Sequence, residues 1–314
     1  MTILDRLPPR VARDPTATDA RRARLGILIA FLAPALVIYA GFTIYPVLRT
    51  FYNAFHTIKP QGVVAFVGLD NFTALLFADS TFWKAVVNTA LFTIVATIVD
   101  VVGGLLLAHC LFARAPFAPV LRVVWFTPVL MSYVVVGIIW VWMYDYDWGL
   151  ANATLRWLGL GAFEQSWLGQ PSTALSSVLV AHEWKWLGFN MIVFLAALHA
   201  LPSEVLGAAE LDNCGWFAKL AYIIAPMLRT TIVNLLVLSF IGKMMVFDLV
   251  WVMTGGGPLW ASETVSTYVY KRAFEWNTFD LGYPSAIAVL WFIIILLFVA
   301  IMSRLLRQRD RLEF

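Results

Sequence analysis

Two stretches place charged and hydrogen-bonding side chains inside apolar runs, where ionisable groups are expensive and therefore functional candidates. The first is His182-Glu183-Trp184-Lys185-Trp186, followed by Phe189 and Asn190. His182, Trp186 and Phe189 recur at helical spacing, and Asn190 follows Trp186 by one turn. One helix face then carries rings beside polar groups. Such a face suits a sugar: rings pack on its C–H surface, while amide or imidazole groups meet its hydroxyls. The plain alternative is a contact inside a helix bundle, with Glu183 and Lys185 neutralising charge. The second stretch is Ser239, Lys243 and Phe247, spaced by single helical turns. Lys243 falls near the middle of its apolar run, where a lone ammonium costs at least ~2.5 kcal/mol. Asp100, Asp248 and an anionic ligand are its candidate partners.

Other chemistries find no footing in the sequence. Thr254-Gly255-Gly256-Gly257-Pro258 is glycine-rich but lacks the Gly-Lys-Ser/Thr ending of a phosphate-binding loop, so it reads as a flexible turn. Without such a loop the polypeptide is not expected to hydrolyse ATP. No serine–histidine–carboxylate pattern and no metal-ligand spacing occurs, so neither an enzyme nor a metal site is expected. Cys110 and Cys214 both fall in expected loops assigned below to the cytoplasm, which argues against a disulfide. The arginines border apolar runs, a pattern that orientation in a membrane explains, and nucleic acid is not an expected partner.

The elements that must position these groups are membrane spans. Hydrophobic residues make up 61% and charged residues 13% of the chain. Soluble domains have about 45–50% and 25%. Apolar runs at about 25–47, 86–109, 123–144, 174–198, 230–253 and 284–303 each approach the ~20 residues a spanning helix needs. An all-α, polytopic fold with six transmembrane helices follows. The tail 1–24 carries Arg6, Arg10, Arg13, Arg21, Arg22 and Arg24. Arg114, Arg122, Lys219, Arg229, Arg304, Arg307, Arg309 and Arg311 continue that side, whereas the other side holds only Arg49, Lys59, Lys84, Arg156, Lys271 and Arg272. The positive-inside rule puts both termini and the segment 201–229 in the cytoplasm. The first apolar run is too long for a signal peptide and reads as an uncleaved anchor.

Residues 201–229, LPSEVLGAAELDNCGWFAKLAYIIAPMLR, form more than a connection. Pro202 fits a helix start, and Val205, Ala208 and Ala209 give that helix a face of small residues. Asn213-Cys214-Gly215 breaks it, Trp216 to Ile224 starts a second, and Pro226 marks re-entry into the bilayer. A cytoplasmic helix-turn-helix that allows close approach can dock into a partner. By pattern alone it is equally a surface loop without one.

This stretch resembles the coupling loop of permease subunits in bacterial ABC importers. Ala208, Ala209, Asp212, Ile223 and Pro226 match that pattern; Leu201-Pro202 and Glu204 match the lead-in of its maltose and glycerol-phosphate branch. Gly207 replaces the family's Glu, Asn213 its Gly and Cys214 its final Ala. The strings Phe66-Val67-Gly68-Leu69-Asp70-Asn71-Phe72, FDLVWVMTGGGP (Phe247 to Pro258) and Phe279-Asp280-Leu281-Gly282-Tyr283 resemble the same branch. The resemblance implies an ABC transporter type-1 transmembrane domain over 25–314, in a bacterial inner membrane. It implies a carbohydrate importer with a second homologous permease subunit, two ATPase subunits and an extracytoplasmic solute-binding protein. ATP and magnesium would be bound by the ATPase subunits, and no cofactor by this chain. Glu204, Gly207, Ala208, Ala209, Glu210 and Asp212 would engage an ATPase, with Glu204 or Glu210 standing in for the family's Glu.

The resemblance also implies that the spans flanking the coupling loop line the substrate pocket, putting Trp186, Phe189, Asn190, Ser239, Lys243 and Phe247 near substrate. A buried cation at Lys243 would favour a sugar carrying a carboxylate, phosphate or sulfonate. The alternative is a gradient-driven secondary transporter, for which Asp100 and Glu183 are the candidate coupling-ion ligands.

Overall fold

An apolar run in lipid can satisfy its backbone only as a helix or in a closed barrel. Residues 28–58, 64–112, 116–276 and 280–309 are described in a computed structural model, and their regular secondary structure is helical apart from one hairpin. The expected tail 1–24 lies outside the described residues, as do Lys59, Arg114, Phe279 and Arg311. The chain divides into a unit through Tyr52 and a larger one from Asn53 onward.

The first unit is carried by α1 (Leu28–Ala54), whose apolar side chains, Phe31 and Phe42 among them, are exposed. The expected end of this span near Tyr45-Pro46 is not an end. A π turn over Ala40–Ile44 precedes the proline, with the Tyr45 N–H donating to the Ala40 carbonyl, and the helix continues to Ala54. The wider turn accommodates the donor that Pro46 lacks.

The larger unit opens with an antiparallel hairpin, β1 (His56–Ile58) and β2 (Val64–Phe66), with His56 opposite Phe66. It is followed by α2 (Asp70–Phe77) and the long α3 (Ser80–Phe112). α4 (Ala118–Leu130) ends in a 3-10 turn that includes Pro128, and α5 (Tyr133–Met143) leaves it at 105°. The third span, expected as one helix, is therefore broken. α6 (Leu150–Trp157) lies in the excursion between spans, and α7 (Ala174–His199) matches the expected fourth span almost to the residue.

α8 (Ser203–Leu211) and α9 (Trp216–Met227) form the helix-turn-helix. α9 contains a π segment, Lys219–Ile224, just before Pro226, the arrangement seen before Pro46. α10 (Arg229–Met244) leaves α9 at 78°, and α11 (Asp248–Thr254) follows a non-helical step at Met245-Val246-Phe247. The fifth span is thus broken as well. Its free groups are met from other elements: Thr264 donates to the Val246 carbonyl at 3.1 Å and the Trp291 indole to that of Met244 at 2.9 Å. Such irregular backbone survives at membrane depth only where protein encloses it or it lines a cavity. α12 (Val265–Tyr270) and α13 (Gly282–Arg309) complete the order.

By length and composition three helices can cross a membrane singly, and up to six crossings result if each bent pair counts as one. α3 is the axis of the larger unit. It packs along α7, where a Cβ at Gly104 would stand 2.6 Å from that of Asn190. On another side it meets α10 and α12.

Candidate functional site

Where α3, α5, α7 and α10 converge they enclose a cavity of about 320 Å³. Its wall includes Asp100 from α3, Tyr133 from α5, His182, Trp186, Phe189 and Asn190 from α7, and Leu238, Ser239, Gly242 and Lys243 from α10. Trp186, Phe189, Asn190, Ser239 and Lys243, singled out by spacing, thus share one chamber. Phe247 does not join them. It caps α11 beyond the break and stacks on Trp251 at 5.6 Å, with Tyr270 beside it. The turn count that aligned Phe247 with Lys243 assumed an unbroken helix, and the break at Met245 carries Phe247 away.

Lys243 forms a buried ion pair with Asp100, and Ser239 lies 3.5 Å from the same carboxylate oxygen. Of the three partners open to Lys243, Asp100 is therefore the one it takes within the chain. The Asp100 carboxyl also meets that of Glu183. The amide oxygen of Asn190 has no hydrogen-bond partner among the described residues, although the residue is only 1% exposed. A buried acceptor in this condition suits a ligand that donates. The Trp186 indole N–H donates to the Tyr133 hydroxyl at 2.7 Å, leaving the tyrosine proton free to turn elsewhere. The Trp186 and Phe189 rings meet edge to face at 5.8 Å. His182 Nδ1 and Glu183 Oε1 are 3.0 Å apart, and Phe92 packs edge-on against the imidazole. The cavity offers flat apolar surface, an unmet amide oxygen and the Asp100–Lys243 ion pair.

Tyr133 was not found from the sequence, because it lies on the far side of a break that the apolar run conceals. Lys185 is the other side chain whose work the sequence hid. It leaves the cavity and reaches three backbone carbonyls where α4 ends. Close packing lets α7 reach that point: a Cβ on Gly188 would lie 1.9 Å from the Trp125 carbonyl oxygen.

The residues expected to meet an ATPase all lie on α8 or cap it. Glu204, Ala208, Glu210 and Asp212 are exposed, and Gly207 borders a groove shared with His109 and Trp216. Ala209 differs: it is 4% exposed and turned into the protein, so the surface face of α8 runs through Val205 and Ala208 instead. Glu210 is held by Lys219 across the turn at 3.0 Å.

The turn explains one departure from the family pattern. Asn213 has φ 53°, the left-handed region, and the N–H groups of Asn213 and Cys214 donate to the carbonyls of Glu210 and Ala209. This is a Schellman ending, where glycine is preferred and asparagine is the next tolerated residue. Asn213 therefore does the conformational work of the family's glycine.

Residues 100–311 match the family model described as "Binding-protein-dependent transport system inner membrane component". A probable ABC transporter permease protein, YurN of Bacillus subtilis, is 33% identical over 85% of this chain and 91% of its own. The trehalose/maltose transport system permease protein MalF of Thermococcus litoralis is 32% identical over 92% and 96%. The sulfoquinovosyl glycerol transport system permease protein SmoG of Agrobacterium fabrum is 31% identical over 90% and 91%. Among solved structures, a bacterial alginate ABC transporter in complex with alginate pentasaccharide-bound periplasmic protein shares the fold. It gives a TM-score of 0.79 at 22% identity over 93% of this chain and 96% of that one. With the model matching most of the sequence and relatives aligned nearly end to end, the chain belongs to the binding-protein-dependent transport system inner membrane component family, as a transport permease and not an enzyme.

Proposed function

We propose that this chain is one permease subunit of a bacterial ABC importer for a carbohydrate. It would pair with a second homologous permease, two ATPase subunits that bind ATP and magnesium, and an extracytoplasmic solute-binding protein. The observation that carries the substrate class is the cavity between α3, α5, α7 and α10. Tyr133, Trp186 and Phe189 supply ring faces and edges there, beside Asn190, Ser239 and the Asp100–Lys243 pair. Both termini and the α8–α9 turn would face the cytoplasm. Closure of the ATPases on ATP would move α8 and α9, and the spans would switch which side reaches the cavity.

The Asp100–Lys243 pair bears on the kind of sugar. A free ammonium would favour an acidic sugar, but Lys243 is neutralised by Asp100 inside the wall. The paired charges suit hydroxyls, which donate to the carboxylate and accept from the ammonium. The first reading is therefore a neutral saccharide. The second is a sugar carrying a carboxylate or sulfonate, favoured by the likeness to the sulfoquinovosyl glycerol permease and requiring the anion to take Asp100's place on Lys243. The family match argues against a gradient-driven carrier, the reading in which Asp100 and Glu183 would be coupling-ion ligands.

Reconstitution tests the proposal. The permease pair, its ATPase and its binding protein, placed in proteoliposomes, should accumulate a neutral saccharide with ATP supplied on the ATPase side. An ionophore should leave uptake intact. Uptake driven by an ion gradient without ATP would refute the proposal, and accumulation of acidic sugars alone would select the second reading.

A further inference from the structure

The end of α4 leaves carbonyls without helical partners, because α5 starts again at Tyr133 after a 105° bend. Such C-terminal carbonyls carry the negative end of the helix dipole, and unwound carbonyls inside transporters are a setting in which small cations bind. Here the Lys185 ammonium sits among three carbonyls, 2.6 Å from the Met131 oxygen, 2.9 Å from that of Val129 and 3.4 Å from that of Pro128, which also accepts the Met131 N–H that closes the 3-10 turn. Three acceptors match the three N–H donors of an ammonium. The side chain is enclosed, with the residue 3% exposed. Its Nζ also lies 5.1 Å from the centre of the Tyr133 ring and 5.4 Å from that of Trp186, distances at which ring faces attract cations. Both rings line the cavity and are joined by their own hydrogen bond.

We propose that the break in the third span is a monovalent-cation cradle whose resident cation is the tethered ammonium of Lys185, and that this cation sets the Tyr133–Trp186 wall. Lys185 is a positioning residue, acting on the cavity through the two rings and the broken backbone. The cradle should then accept an untethered small ammonium once the tether is removed. It should not accept an ion of equal charge that lacks N–H donors.

The assembled transporter, in detergent for melting and in proteoliposomes for uptake, is compared as wild type, Lys185→Ala, Lys185→Met and Lys185→Arg, with ethylammonium or tetramethylammonium chloride at equal concentration. Lys185→Ala should lower the melting midpoint by roughly 5 °C. Ethylammonium should restore at least half of that fall and raise sugar uptake by the variant several-fold, and tetramethylammonium should do neither. Wild type, whose cradle is filled, and Lys185→Met, whose side chain blocks the way to it, should not respond. If Lys185→Ala assembles and ethylammonium has no selective effect, the proposal is overturned. It is equally overturned if Lys185→Met melts and transports like wild type. Should Lys185→Ala fail to assemble, Lys185→Arg must keep more stability than Lys185→Met, and equality of the two sinks the idea. Melting does not depend on the carbohydrate reading, so failure of wild type to move any sugar would count against the function and leave the cradle to its own test.

Discussion

The Lys243 ammonium donates to the Asp100 carboxylate across 143 positions of sequence, joining α10 to α3 where both line the cavity. With side chains 5% and 1% exposed, neither charge has water to fall back on. Removing one member of a buried pair strands the other, at a cost of about 3–5 kcal/mol, whereas removing both is far milder. Asp100→Asn and Lys243→Met should each lower the melting midpoint of the assembled transporter, and the double variant should regain most of the loss. Additive losses in this double-mutant cycle would show that the two residues act apart.

Trp186 and Phe247 separate a ring inside the chamber from one outside it. Trp186→Leu removes a cavity wall and the donor to Tyr133, so uptake at saturating loaded binding protein should fall about tenfold, equivalent to ~1.4 kcal/mol on the barrier. Phe247→Leu, on the Trp251–Tyr270 side, should change uptake less than about twofold. A larger loss at Phe247 than at Trp186 would reverse the assignment of the two rings.

What the sequence revealed of this arrangement, and what it hid, follows from how each signal is generated. Trp186, Phe189 and Asn190 lie on one unbroken helix, so counting by turns puts them on one cavity wall. Ser239 and Lys243 share α10 for the same reason. Phe247 was misplaced because hydropathy runs smoothly through Met245-Val246-Phe247, although the backbone does not. Tyr133 and Lys185 were missed together: the break at Met131-Ser132 lies inside an apolar run, and Lys185 matters only because it caps that break. Ala209 shows the same limit on a smaller scale, since a face of small residues does not reveal which of them packs inward.

Glu204 and Glu210 differ in what holds them. Glu210 is paired with Lys219, whereas Glu204 lies exposed in the first turn of α8. On the proposed docking role, Glu204→Gln should weaken co-purification of the ATPase several-fold. Glu210→Gln should have a smaller effect, since exposed pairs such as Glu210–Lys219 contribute only about 0–1 kcal/mol. Ala208→Trp, on the exposed face, should abolish co-purification and leave ligand binding in the cavity unchanged. Retention of the ATPase by Ala208→Trp would exclude α8 as the docking element.

Asn213 tests the turn by itself. At φ 53° a glycine has no steric penalty, and a β-branched residue has a large one. Asn213→Gly should leave hydrogen-exchange protection of α8 unchanged or slightly raised. Asn213→Val should lower it by about 1–2 kcal/mol, seen as faster exchange in Ser203–Leu211. Equal exchange in the two variants would mean that the turn is held by contacts outside its own backbone.

Asp79, just before α3, gathers the start of α3, α12 and α13 into one clamp. Its carboxylate accepts from the Tyr268 hydroxyl at 2.5 Å, the Tyr283 hydroxyl at 2.6 Å, the Phe82 amide at 2.9 Å and Arg272 at 3.3 Å. Burial alone would raise its pKa, but these bonds outweigh burial and hold the carboxyl below its ordinary value near 3.8. A depressed folded value means that the charged form favours the native state. The stabilisation is complete above the unfolded pKa and is lost as pH falls through the folded one. The melting difference between wild type and Asp79→Asn should therefore be constant from about pH 7 to pH 5 and shrink below about pH 4. A difference that instead grew on acidification would mean that the clamp prefers the protonated acid, contrary to four donors converging on one carboxylate.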